Sequence, residues 1–391
     1  MKKIYREIHL WLSVPFGIII TLVCFSGSML VFEKEITELC RPEVYYVSEV
    51  KEKTLPIDEI MQTVSASLPD TVTAKGITIS PDKNRTWQVS LSKPRRASIY
   101  VNPYTAEITG KNERLAFFDT MFRLHRWLLG SSSSSDGSMP IGKLIVGISV
   151  IMLVIIIISG LLIWLGYNKK TIKKSLKISV TKGWRRFWHD LHVAGGIYAA
   201  VIILVMALTG LTWSFSWYRT GFYSLCGGEN TAHNKQTNQG TQDGKSNKER
   251  NKDKLGNHSQ QGERREGREH KHRNPYRQWQ NVYELIAKEN PGYRQITLSD
   301  TTVSVVAAGQ QSLRASDKYG FNKRTGEITS TQLYDNQDKA SKVRSWVYML
   351  HVGSWGGMVT RILWFLVSLF GATLPITGYY LWIKRIYKQK H

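Results

Sequence analysis

Charged residues are missing from four long stretches of this 391-residue sequence. The stretches without Asp, Glu, Lys or Arg are residues 8–32, 144–167, 193–218 and 362–383. A helix needs about 20 apolar residues to cross the hydrocarbon core of a bilayer, and each stretch is long enough. The pattern predicts a mainly α-helical membrane protein with four transmembrane helices at these positions. The lack of acidic residues inside them argues against a proton or ion transporter.

Several motifs are also missing. The sequence has no Gly-x-Gly-x-x-Gly fingerprint, no P-loop and no Ser/His/Asp order that suggests hydrolysis. Its three cysteines include no Cys-x-x-Cys-His, which excludes covalently attached c-type haem. Nucleotide chemistry and hydrolysis therefore have no support in the sequence.

Positive charge is abundant, but it is placed beside the apolar stretches. Lys and Arg number 53 against 30 Asp and Glu, and the loop at residues 168–188 holds eight basic residues and no acid. Basic loops stay in the cytoplasm, so this loop and both termini are predicted to be cytoplasmic. The connections at residues 33–140 and 219–356 then lie outside a bacterial inner membrane. A nucleic-acid partner is not expected, whereas membrane lipid is.

The two halves of the chain repeat the same features. His9 stands 17 residues before Ser26-Gly27, and His192 stands 17 residues before Thr209-Gly210. Leu124-His125 and Leu350-His351 likewise precede the second and fourth stretches. A third pair of matches is Ser159-Gly160 with Thr377-Gly378. The pattern predicts a duplicated unit of helix, outer domain and helix.

The outer segments contain signals for a helix followed by short strands. They predict two small α+β extracytoplasmic domains, one within residues 33–140, which also hold an interfacial helix, and one at residues 276–345. Residues 227–275 between them are polar and are predicted to be disordered. Cys40 and Cys226 would both lie outside the membrane, where a disulfide between them is one open possibility.

The matched histidines suggest a cofactor. Imidazoles at membrane depth are costly unless they bind something, and axial histidines on facing helices suit haem. We predict two non-covalent haem b groups, one held by His9 and His192 and the other by His125 and His351. His189, three residues before His192, is an alternative ligand or a supporting donor. Any one of these histidines taken singly is equally consistent with an interfacial residue that donates a hydrogen bond.

The chain resembles the PepSY-associated transmembrane family in three motifs. They are His9-x-Trp11, Leu124-His125-Arg126-Trp127, and the turn that begins Asn102-Pro103-Tyr104-Thr105. The resemblance extends over nearly the whole chain apart from residues 227–275. Because the family includes periplasmic ferric-siderophore reductases, it implies a di-haem oxidoreductase that carries electrons outward to a ferric siderophore. Its implied ligands are His9, His125, His192 and His351.

Two further expectations accompany that interpretation. Arg6 and Arg126 stand next to proposed ligands and could neutralise haem propionates, as could Arg185 or Arg186. The electron donor is unidentified, with a cytoplasmic flavin reductase and a membrane quinol as the open choices. The competing hypothesis is a haem-free scaffold whose outer domains bind a peptidase, a transporter or a signalling partner.

Overall fold

The computed structural model describes residues 2–132, 138–227, 274–310 and 312–390. Helices in these ranges are, in chain order, α1 (Lys2–Leu30), α2 (Glu33–Cys40), α3 (Pro42–Tyr45), α4 (Ile57–Ser67), α5 (Ala116–Trp127), α6 (Ile141–Leu165), α7 (Lys169–Ser175), α8 (Trp184–Asp190), α9 (Gly196–Ser214), α10 (Ser216–Leu225), α11 (Trp279–Glu289), α12 (Lys339–Val352) and α13 (Gly357–Lys390). Strands are β1 (Ala74–Ile79), β2 (Trp87–Leu91), β3 (Ser98–Val101), β4 (Ile108–Lys111), β5 (Gln295–Ser299), β6 (Thr302–Val306), β7 (Asp317–Phe321) and β8 (Ile328–Gln332). The predicted disordered tract has residues 228–273 outside the described ranges.

The described chain contains four helical segments long and apolar enough to cross a membrane, which are α1, α6, α8 with α9, and α13. They form a bundle in which α1 packs against α6 and α13, and α9 packs against the same two helices. Helices α1 and α9 therefore occupy opposite corners. Apolar side chains such as Ile18 and Val201 point outward, 63% and 67% exposed, as expected where lipid covers the surface.

The predicted bounds of the spans need two corrections. Helix α1 begins at Lys2, before residue 8, and ends at Leu30, whereas α13 extends beyond residues 362–383 at both ends. A charge-free stretch marks only the lipid core, and basic residues beside it continue the helix. The third predicted span, residues 193–218, is interrupted. Helix α9 ends at Ser214, since Phe215 is extended (φ −122°, ψ 128°), and a π-helical turn at Leu191–Gly195 precedes it.

A single antiparallel sheet lies at one end of the bundle. The eight described strands lie side by side in the order β4-β3-β2-β1-β5-β6-β7-β8. Strand β1 pairs with β5, from Gly76 opposite Ser299 to Ile79 opposite Ile296, so the two halves of the chain share one sheet. If β1 and β5 were not paired with each other, each would expose unpaired backbone groups at a sheet edge. The expectation of two separate α+β domains is therefore corrected to one merged domain.

The merged domain has one hydrophobic core. Helices α4 and α11 pack on the sheet, and their fully buried side chains include Ile60 and Ile286. We call this end of the bundle the sheet side. The opposite end, with the basic loop, the start of α1 and the end of α13, is the loop side.

Helix α2 ties the sheet to the bundle through two ion pairs. The guanidinium of Arg85 donates to both carboxylate oxygens of Glu38, at 3.0 and 2.8 Å. Arg361 of α13 donates to both oxygens of Glu35, at 2.5 and 2.8 Å. Bidentate pairs of this kind combine geometric specificity with charge.

The cysteines are unpaired. Cys40 and Cys226 are both exposed, and Cys24 lies within α1. The open possibility of a disulfide between Cys40 and Cys226 is not realised in the structure.

Candidate functional site: two histidine pairs

The four histidines at matched sequence positions meet as two pairs. The ring centres of His9 and His192 lie 6.3 Å apart, with an angle of 88° between the ring planes. Those of His125 and His351 lie 6.2 Å apart at 54°. We call the first the loop-side pair and the second the sheet-side pair. His189, the alternative to His192, instead lies beside Asp190, with its Nδ1 3.3 Å from that carboxylate and half of its side chain exposed.

The two pairs are built from different elements. In the loop-side pair, His9 belongs to the span α1 and His192 to the π-helical turn that precedes α9. In the sheet-side pair, His125 and His351 belong to the short helices α5 and α12, which pack against α1 and α9. Since α1 and α9 are diagonal in the bundle, each pair spans its centre.

Each imidazole is oriented by its Nδ1 atom. Nδ1–H of His9 donates to the Ile156 carbonyl at 3.0 Å, and that of His125 to the Val23 carbonyl at 2.9 Å. The His351 Nδ1–H donates to the Met206 carbonyl at 2.9 Å. A carbonyl can only accept, so these rings carry their proton on Nδ1.

The fourth ring is held by a hydroxyl. Thr377 Oγ1 donates to the Leu374 carbonyl and lies 2.8 Å from His192 Nδ1, from which it accepts. None of the four Nε2 atoms has a hydrogen-bond partner among the described residues. With Nδ1 donating, Nε2 keeps a free lone pair, which is the arrangement of histidines that bind a metal.

The small pairs in the spans give room to these rings. A Cβ added at Gly27 would lie 2.8 Å from His125 Cε1, and one at Gly160 would lie 3.2 Å from His9 Cε1. The corresponding distances are 3.1 Å from Gly210 to His351 and 3.5 Å from Gly378 to His192. Each glycine therefore lets the imidazole of a neighbouring helix approach the backbone. Serine or threonine beside it adds a hydroxyl, as with Thr209, whose Oγ1 lies 3.1 Å from His351 Nδ1.

The spacing of the rings suits one metal between two imidazoles. A metal–imidazole bond of about 2.0 Å puts the ring centre about 3.1 Å from the metal, so two opposed rings lie about 6.2 Å apart. The observed separations are 6.3 and 6.2 Å. The described residues contain no group of three or more His, Cys, Asp and Glu side chains that could enclose an ion by themselves. Two imidazoles form an axial ligand set, so the donors fit haem better than a closed protein-only metal site.

A cavity of about 390 Å³ adjoins the loop-side pair. Its walls are mostly apolar, with Trp164 and Trp382 towards the loop side and Cys24 deeper in the bundle. His189 and Arg385 also line it. Cofactor sites are mostly apolar spaces of this order with a few convergent polar groups. Sequence reasoning missed Arg385 because it lies in the basic tail, where a topology charge explains it equally well.

The predicted propionate partners occupy different surroundings. Arg6 is exposed, and Arg186 already donates to Asp190 at 2.8 Å. Arg126 is half-buried beside the sheet-side pair, over the rings of Phe122 and Trp127. Burial lowers the pKa of Arg126, and the nearby positive charge of Arg96 lowers it further. No carboxylate of the described residues lies within salt-bridge distance of Arg126, so its guanidinium can accept an anionic ligand group.

A protein-family model described as the PepSY-associated TM region matches residues 6–385. The chain belongs to this family. The resemblance inferred from its three motifs is thereby confirmed, and the match runs through both histidine pairs. No curated protein matches the chain significantly.

Proposed function

We propose that this chain is a di-haem b-type membrane cytochrome that passes electrons to a ferric siderophore. The observation that carries the proposal is the pair of opposed imidazoles found twice in the bundle, at ring separations of 6.3 and 6.2 Å. All four rings donate through Nδ1 and leave Nε2 free, as axial ligands require. The duplicated helix, domain and helix unit expected from the sequence accounts for the recurrence.

The protein's own residues would hold, orient and shield the cofactor. His9 and His192 would bind the haem on the loop side, and His125 and His351 the one on the sheet side. When bound, haem supplies one-electron chemistry through its ferrous and ferric states. Two histidines of the protein would hold each haem, and such ligation favours electron transfer over oxygen chemistry. The carbonyls of Ile156, Val23 and Met206 keep the rings in place.

The two pairs are spread along the membrane normal. His125 contacts Gly27 of α1, and His9 lies 18 residues earlier on the same helix. At 1.5 Å per residue this is about 27 Å, close to the thickness of the hydrocarbon core. Two sites at this spacing would serve opposite leaflets.

The direction of transfer follows from the proposed topology. We place the basic loop and both termini in the cytoplasm of a bacterial cell and the sheet outside its inner membrane. Electrons would enter on the loop side from a flavin reductase or a quinol, and leave on the sheet side to the ferric complex. Ferrous iron binds the hard oxygens of a siderophore more weakly than ferric iron, so its release needs no acid or base from the protein.

Visible spectroscopy tests the proposal directly. Protein purified from haem-supplied cells should show reducible b-type bands at two haems per chain. His9→Ala or His192→Ala should remove one haem, and His125→Ala or His351→Ala the other. His189→Ala is the matched control and should keep both, because His189 lies beside Asp190 and not opposite His9. Added ferric siderophore should then reoxidise the reduced protein.

A haem-free scaffold is the second candidate. The outermost strands β4 and β8 leave much of their surface exposed, and a partner could pair with such an edge. A folded but colourless wild-type preparation from haem-supplied cells would favour the scaffold and reject the cytochrome.

A further inference from the structure

A groove lies between α10 and α12 on the sheet side of the bundle. Its volume is about 280 Å³, and its walls include Phe222 of α10 and Trp346 of α12. Lys339 and Lys342 line it as well. Its floor includes Thr209, whose hydroxyl contacts the imidazole of His351. The groove therefore leads to the hydrogen-bond partner of a proposed ligand.

The groove is placed at the boundary of the membrane. Helix α9 ends at Ser214, and α10 follows after one extended residue. Helix α10 contains no Asp or Glu, and its Trp217 and Leu225 are 66% and 90% exposed. Aromatic and apolar side chains on a short helix beside a span are typical of an interfacial helix, whose surface is covered by lipid.

Helix α2, which follows α1 as α10 follows α9, has the opposite character. Its glutamates Glu33, Glu35 and Glu38 pair respectively with Arg114, Arg361 and Arg85. The hydrogen bond from Arg361 lowers the pKa of Glu35, against the effect of partial burial. At this corner of the bundle the protein supplies its own anions for the basic side chains.

The lysines of the α10–α12 groove, Lys339 and Lys342, have different surroundings. No carboxylate of the described residues forms a salt bridge with Lys339 or Lys342. Lys342 donates to the backbone carbonyl of Asp335, and the Asp338 carboxylate caps α12 by accepting from the Ser341 amide. Two cations thus stand at an apolar groove beside the lipid surface. The complementary occupant is apolar along its length and anionic at one end.

We propose that the α10–α12 groove binds an anionic phospholipid. An acyl chain would lie between Phe222 and Trp346, with the headgroup phosphate at Lys339 and Lys342. Basic pockets between helices near a membrane surface recognise acidic headgroups in this way. In this half of the chain the lipid phosphate would supply the negative charge that the glutamates of α2 supply in the other half. It goes beyond the proposed electron transfer and does not depend on haem.

Quenching by brominated lipid provides the test. The full-length protein is placed in phosphatidylcholine vesicles that contain either brominated phosphatidylglycerol or brominated phosphatidylcholine, and tryptophan fluorescence is recorded. The component of quenching lost in Trp346→Phe reports on the groove. We expect this component to appear at a phosphatidylglycerol fraction about 30-fold below that needed for phosphatidylcholine, since each of the two lysines contributes about 1 kcal/mol.

Matched lysine variants separate the groove from general surface charge. Lys339→Gln with Lys342→Gln should abolish the preference for phosphatidylglycerol. Lys75→Gln with Lys318→Gln, which removes two exposed lysines of the sheet, should leave it unchanged. Equal quenching by the two lipids, or a preference that survives loss of Lys339 and Lys342, would overturn the proposal. Because haem bands are recorded on the same samples, failure of the lipid site is distinguishable from failure of the cytochrome.

Discussion

The two histidine pairs have nearly the same ring separation but rest on different supports. The loop-side pair is carried by the spans and by the π-helical turn at Leu191–Gly195. The sheet-side pair is carried by α5 and α12, which come from the sheet domain and dock onto α1 and α9. The first pair therefore depends on local helix geometry. The second pair depends on how the sheet domain is held against the bundle. Different variants can therefore disrupt one pair and leave the other intact.

Deletion of Val193 should have the largest effect. A π turn holds one residue more than an α turn, so the deletion restores regular helix and changes the direction and height of His192 relative to α9. We expect His192 to lose its position opposite His9 and the protein to lose the loop-side haem. A pyridine haemochrome assay should give one haem per chain instead of two. The sheet-side haem is the internal control, and retention of both haems would show that the π turn does not position His192.

Glycine-to-alanine variants compare the space available in the two pairs. Alanine at Gly27 would place its Cβ 2.8 Å from His125 Cε1, whereas at Gly378 the distance to His192 Cε1 is 3.5 Å. Only the first is closer than side chains tolerate. We expect Gly27→Ala to lose most of the sheet-side haem and Gly378→Ala to keep both.

The exposed Gly221 provides the control for these variants, because nothing lies within 4 Å of an added Cβ there. Gly221→Ala should bind haem normally. If the distance from the added Cβ to the imidazole decides the loss of haem, Gly27→Ala loses more haem than Gly378→Ala. An equal loss in the two variants would contradict this expectation.

The sequence predicted the four spans and the presence of strands because those signals are local. Charge-free stretches indicate the spans, and alternating apolar residues indicate short strands such as β5. The pairing of β1 with β5 was not predictable, since each strand reads locally like an ordinary edge strand. The matched histidines indicated which residues meet. The contact between Gly27 and an imidazole was not predictable, because sequence spacing gives depth in the membrane but does not show which side chain a glycine faces.

Acid should weaken the attachment of the sheet domain to the bundle. Because Arg361 lowers the pKa of Glu35 in the folded protein, this pair contributes its full stability above the unfolded pKa of about 4.3. The contribution is lost as the pH falls through the lower, folded pKa. Glu35→Gln should therefore reduce the melting temperature at pH 7 by a few degrees, about 1 kcal/mol or less for a partly exposed pair. The reduction should be smaller at pH 4.

Glu59→Gln is the control for that experiment, because Glu59 is exposed on α4 and has no salt bridge to any described residue. Its melting temperature should follow that of the wild type at every pH. A pH-independent deficit in Glu35→Gln would mean that the loss comes from packing and not from the charge.

The hydroxyl partner of the loop-side pair should give the smallest effect. Thr377 Oγ1 accepts from His192 Nδ1 at 2.8 Å, and that bond makes the imidazole more electron-rich, which favours ferric iron. Thr377→Val removes the acceptor, so we expect the loop-side midpoint potential to rise by about 20–60 mV, with the sheet-side potential unchanged. Thr373→Val is matched, because Thr373 lies one turn earlier and its hydroxyl donates to the Phe370 carbonyl. Redox titration followed by visible spectra would reject this role if both variants shifted the potential equally.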